Sequence, residues 1–131
     1  MSSSMNIDDF IAGIMSSMKL TQQVELPATD IEEKIVNAFN SLEQLALRKG
    51  IELRFHCSLN SFTRRSVTVH YALVRAEQAG LIQRDGQTVE IALTTEESAD
   101  IINASPLSLS EWKLIHKSLK AEMFAPLYFQ R

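Results

Sequence analysis

Between residues 62 and 93 the hydrophobic period of the sequence changes once, and that change constrains the fold more than any other feature. Val69, Ala72, Leu73 and Ala76 recur at i, i+3, i+4 and i+7, which predicts a helix over residues 64–78 with one buried face. Steps of about 100° per residue place Arg64, Val67, Tyr71, Val74 and Gln78 on the opposite face, with Arg65 and His70 on the flanks. Gly80 stops the helix, because a residue just past a helix end often takes the left-handed conformation that glycine adopts cheaply. An extended segment begins at Leu81-Ile82, and Asp85-Gly86 is a two-residue hairpin signal. Beyond it Val89, Ile91 and Leu93 alternate with Thr88, Glu90, Ala92 and Thr94, the period of a half-buried strand.

Helix, glycine stop, short strand, tight turn and strand is the order of a recognition helix followed by a wing. The residues Thr68-Val69, Ala72-Leu73, Glu77, Gly80-Leu81-Ile82, Arg84-Asp85-Gly86 and Val89-Glu90-Ile91 resemble the second half of a winged helix-turn-helix domain, as found in many bacterial transcription regulators. The resemblance covers residues 64–93. It implies an α+β fold, a winged-helix-like domain with a small three-stranded antiparallel sheet and additional N- and C-terminal helices. It also implies a sequence-specific partner, double-stranded DNA, with the helix at residues 63–78 in the major groove. The residues it places at DNA are Arg64 and Arg65 for guanine or phosphate, Ser66, Thr68, His70 and Tyr71 as weaker contacts, Arg75, Arg84 before the turn, and Arg54 for a phosphate.

A net charge of −3 is unfavourable for a nucleic-acid binder until it is divided along the chain. Residues 1–47 carry two basic and seven acidic side chains, residues 48–84 carry seven and two, and residues 85–131 carry four and seven. The basic excess sits in the middle, in Arg48, Lys49, Arg54, Arg64, Arg65, Arg75 and Arg84. A set of solvated faces gives the same statistics without any function.

The flanking segments are read from their periodicity. Ile7, Phe10, Ile11, Ile14, Met15 and Met18 form an amphipathic stripe with Asn6 as N-cap, followed by a polar linker to residue 29. That helix either swings out to dock on a partner or covers the chain's own core. Asp30 with Glu33 predicts a capping box for a long helix bearing Ile31, Ile35, Ala38, Phe39, Leu42, Leu45 and Ala46, stopped at Gly50. A strict helix-turn-helix would place the recognition helix three or four residues later, whereas Val67 lies some fifteen residues beyond Ile51. Between them Ile51, Leu53, Phe55, Cys57 and Leu59 alternate with polar residues, which predicts a strand able to pair with the hairpin. Thr94 with Glu97, and Ser108 with Glu111, cap two final helices; the second carries Leu109, Trp112, Ile115, Leu119 and Met123 and ends before Pro126 and the apolar tail Leu127-Tyr128-Phe129. The expected division is residues 1–29 (helix and linker), 30–94 (winged-helix domain) and 95–131 (dimerisation or core-covering helices), with a homodimer formed through the terminal helices.

Other chemistry finds little support. Cys57 is the only cysteine, which excludes an intramolecular disulfide and a cysteine-based zinc site and suits a reducing compartment. His56 and Cys57 are neighbours on an extended segment and point to opposite faces. The pairs Asp8-Asp9, Glu32-Glu33 and Glu96-Glu97 fall in first turns, where the helix dipole explains them, and each of the four glycines stands alone. The expectation is a cytoplasmic protein that is not an enzyme, with no cofactor, no metal and no membrane contact; any small-molecule effector is unreadable. The alternative function is a winged helix that serves as a protein-interaction module, with Val67, Tyr71 and Val74 as its contact face.

Overall fold

Asn6 caps the first helix as expected: its Oδ1 accepts the Asp9 N–H at 2.8 Å, and the Asp9 carboxylate accepts the Asn6 N–H at 3.0 Å. In the computed structural model, which describes residues 3–121, this helix α1 (Ile7–Leu20) follows a short strand β1 (Ser3–Met5). The apolar stripe of α1 is buried, and so are Gly13, Ser16 and Ser17 on its other side. Helix α1 is therefore the centre of the core and not an arm that swings away.

Strand β2 (Glu25–Pro27) leads to α2 (Ile31–Lys49), whose Ile35, Phe39 and Leu42 are buried, and Gly50 ends it at φ +71°. Asp30 precedes α2 but does not cap it. Its own φ of +57° leaves the side chain without a cap hydrogen bond, so the predicted Asp30–Glu33 capping box is absent. Strand β3 (Ile51–Leu53) then pairs in parallel with β1, Ile51 opposite Ser3 and Leu53 opposite Met5. The predicted strand thus ends after three residues and does not join the hairpin. Beyond it the chain keeps its inside-outside alternation: Phe55 is half-buried, His56 exposed and Cys57 buried. Phe55 packs between Phe10 and Phe39, with ring centroids 5.5 and 5.1 Å away. Burial fixed the alternation; no ladder was required for it.

Helix α3 (Val67–Gln78) begins later than the sequence predicted, because Arg64 takes φ +57° and Ser66 is the cap. Its buried residues are the predicted Val69, Ala72, Leu73 and Ala76. At its end Leu81 donates its N–H to the Ala76 carbonyl and Gly80, at φ +82°, to that of Glu77, the paired bonds of a Schellman stop. Strands β4 (Ile82–Arg84) and β5 (Thr88–Ile91) follow, antiparallel, with Arg84 opposite Val89. The turn is closed differently from the expected Asp85-Gly86 loop. The Asp85 carboxylate accepts the N–H groups of Gln87 (2.7 Å) and Thr88 (2.8 Å) and the Thr88 hydroxyl (3.0 Å). Those bonds hold the Asp85 carboxyl below its ordinary pKa. The third strand of the sheet is β2, so that the order is β2-β5-β4 with Leu26 opposite Val89.

Two capping boxes, Thr94 with Glu97 and Ser108 with Glu111, start α4 (Thr95–Ala104) and α5 (Leu109–Ala121). Both helices pack on α1, and α5 also on α2. Trp112 of α5 is fully buried, donates its indole N–H to Ser105 Oγ at 2.9 Å and lies over Gly13. The expected contributions of Met123, Pro126 and the tail at residues 127–129 lie outside the described residues. Among the described residues the fold is mixed α+β, with five helices and one small three-stranded antiparallel sheet beside a two-stranded parallel one.

Candidate nucleic-acid interface

The segment between Glu52 and Glu77 contains no carboxylate but has four arginines and two histidines. Its charge pattern singles out α3 and the chain leading into it. That chain is a closed turn. Asn60 Oδ1 accepts the N–H groups of Phe62 (2.9 Å) and Thr63 (3.0 Å), while Asn60 and Arg65 are joined through N–H to carbonyl at 2.8 Å. Arg64 and Arg65 therefore stand before α3 and not in its first turn.

One buried carboxylate ties this turn to α2. Glu32 Oε1 accepts the Ser66 N–H at 2.8 Å and Oε2 accepts the Arg65 guanidinium at 2.8 Å, while Ser66 Oγ in turn accepts the Val69 N–H at 3.3 Å. His70 Nδ1 lies 3.7 Å from Glu32 Oε2. Burial opposes the charge on Glu32, but the bonds from Arg65 and Ser66, together with the positive charge of Arg65, hold its carboxyl below the ordinary value. The same contact raises the pKa of Arg65. In place of a tight interhelical turn, Glu32 sets where α3 begins relative to α2.

Four further arginines also have carboxylate partners. Arg64 pairs with Glu33, Arg75 with Asp8 of α1 at 3.0 Å, Arg84 with Glu77 at 3.4 Å, and Arg54 with Glu52 at 3.6 Å. Arg54 belongs to the β1–β3 ladder, donating its N–H to the Met5 carbonyl, and is not part of the hairpin sheet. Arg64, Arg65 and Arg84 line one groove between the start of α2 and the hairpin. Asp30, Glu32, Glu77 and Asp85 line it too, so that groove has no positive excess to attract a phosphate.

The outer face of α3 is different in character. Val67 is 71% and Tyr71 57% exposed, Thr68 is exposed, and Val74 and His70 are half-buried. His70 and Tyr71 meet edge to face at 5.2 Å, and with Thr63, Arg65 and Val67 they line a shallow cleft beside the helix start. Phe62, in the preceding turn, is 94% exposed. Ser66 is buried as the helix cap, so its side chain supports α3 from beneath and does not face outward.

The carboxylates Asp8, Glu32 and Glu33 were not legible as arginine partners, since each sits in a first turn where dipole and capping account for it. Glu32 carried one usable signal: it lies four residues before the buried Val36, at the edge of the apolar stripe. His116, which the sequence left without a role, is buried on α5 with Nδ1 2.7 Å from the Ser17 hydroxyl of α1. Burial of Cys57 pushes its thiol up to about 12, with Glu43 adding to the shift, which makes it a core side chain and not a nucleophile. Among the described residues no group of three His, Cys, Asp or Glu side chains is placed to hold a metal ion, and no helix is long and apolar enough to cross a membrane.

Comparison of the chain with protein-family models, with curated proteins and with solved structures finds no match.

Proposed function

We propose that the chain is a winged-helix DNA-binding protein, in which α3 is the recognition helix, β4 and β5 form the wing, and the partner is double-stranded DNA. The observation that carries this reading is a solvent-facing helix reached through a carboxylate-free, arginine-bearing segment and followed at once by a Schellman stop and a hairpin with Arg84 beside its turn. The major groove admits such a helix and presents a distinct edge for each base pair. The three-stranded sheet that accompanies a wing is present, with residues 25–27 as its third strand. Regulation of transcription as a homodimer is part of the same proposal. Since α1 is buried in the chain's own core, α5 is the element left for a dimer contact, with its exposed Leu114.

The paired arginines set the expected strength. Exposed ion pairs are worth about 0–1 kcal/mol each, so Arg64, Arg75 and Arg84 can exchange a carboxylate for a phosphate at little cost. Four arginines free of carboxylates would give a slope of about −3.6 in log affinity against log salt, at roughly 0.9 per contact. A shallower slope is expected here. Fluorescence anisotropy of a labelled mixed-sequence duplex, titrated at several salt concentrations, checks this, with an Arg64→Ala/Arg65→Ala variant expected to bind more weakly and with a flatter slope. If the folded protein leaves the duplex unbound even at low salt, the reading is wrong.

A second reading has an observation of its own. Phe62, Val67 and Tyr71 are exposed while every arginine around them is held by a carboxylate, an arrangement that also suits a protein partner. Absence of DNA binding would move the assignment there.

A further inference from the structure

This inference rests on the DNA-binding reading and names what the helix reads. We propose that α3 recognises thymine, through its C5-methyl group in the major groove, with Val67 and Tyr71 as the contact residues and not through arginine-to-guanine bonds. The first two turns of α3 expose Val67, Thr68 and Tyr71 and contain no Arg, Lys, Asn or Gln before Arg75. A recognition helix presents its N-terminal residues to the base edges, so the side chains nearest the bases lack any group that could grip guanine or adenine in a bidentate manner. The arginines that could do so lie outside those two turns: Arg64 and Arg65 stand before the helix, beside Glu33 and Glu32 of α2, and Arg75 falls in its third turn, beside Asp8 of α1.

The thymine methyl is the apolar feature among the major-groove edges, and it is the partner an exposed valine and an exposed tyrosine ring can use. The neighbouring Thr68 hydroxyl both donates and accepts a hydrogen bond, so it tolerates either base of an A·T pair. Arg64 and Arg65 flank this face and serve the phosphates, which positions the helix without reading sequence. The two exposed apolar side chains thereby acquire a role that a solvated helix face does not give them.

The test compares binding of the 131-residue chain to two short A·T-containing duplexes of the same sequence, one with thymine and one with deoxyuridine at every thymine position, which removes the methyl groups alone. The thymine duplex should bind more tightly by about fourfold for each methyl contacted. A Val67→Ser/Tyr71→Ser variant, altered only at exposed positions and verified as folded by circular dichroism, should bind the two duplexes equally. Equal binding of both duplexes by the wild-type chain overturns the thymine assignment while leaving the DNA-binding reading intact. Failure to bind either duplex at low salt overturns both.

Discussion

Glu32 is the side chain on which the geometry of α3 depends. It is 6% exposed, lies in the first turn of α2, and accepts both the Ser66 N–H and the Arg65 guanidinium. Glu32→Ala leaves the buried Ser66 N–H without its acceptor, which should cost about 1–3 kcal/mol in urea unfolding at neutral pH. Glu32→Gln keeps an acceptor but loses the charge, so its cost should be smaller. The pH dependence has a definite sign. The folded-state pKa is depressed, so the ionised form contributes stability that is fully present above the ordinary glutamate value, about 4.3, and is lost as pH falls through the folded pKa. The stability gap between wild type and Glu32→Gln should therefore close on acidification below about pH 4. A gap that stays constant from neutral to acid would mean that Glu32 does not hold α3 as described.

Among the elements, the packing of α5 on α1 turns on one small residue. A Cβ on Gly13 would lie 2.2 Å from Trp112 Cζ2, and the indole ring is fully buried and cannot step aside. Gly13→Ala gains about 1 kcal/mol of helix propensity, but a clash that close with a buried ring costs more, so thermal or urea unfolding should show net destabilisation of about 1–3 kcal/mol. Trp112→Phe removes the atoms that clash, so the double variant should be more stable than the two single changes predict by addition. A stabilised Gly13→Ala chain would contradict the packing. Gly13 also marks a limit of sequence reading. The apolar stripe of α1 was legible because Phe10, Ile14 and Met18 repeat, whereas the burial of Gly13, Ser16 and Ser17 was not, since small residues give no periodic signal and admit a neighbouring helix all the same. For α3 both the buried face and the glycine stop could be read. The start of α3 could not, because the positive φ of Arg64 and the tether to Glu32 depend on tertiary contact. The alternation at residues 51–60 was read correctly as one buried side but assigned the wrong neighbour, since periodicity reports burial and not the hydrogen-bonding partner.

At the scale of the whole molecule, the basic segment visible in the sequence is partly neutralised once the chain folds. Carboxylates of α1 and α2, distant in sequence, come to Arg75, Arg65 and Arg64. In the proposed function this leaves the outer face of α3 as the reading surface and the arginines as a modest source of phosphate affinity, with the wing beside it. The most direct test is to titrate an isotope-labelled sample of the protein with A·T-rich duplex DNA and map the backbone amide shifts by two-dimensional NMR. The account predicts that the largest shifts fall on residues 62–75 and on the turn at residues 84–87, with α4 little changed. Shifts centred on α4 and α5, or a spectrum that does not change at low salt, would contradict it.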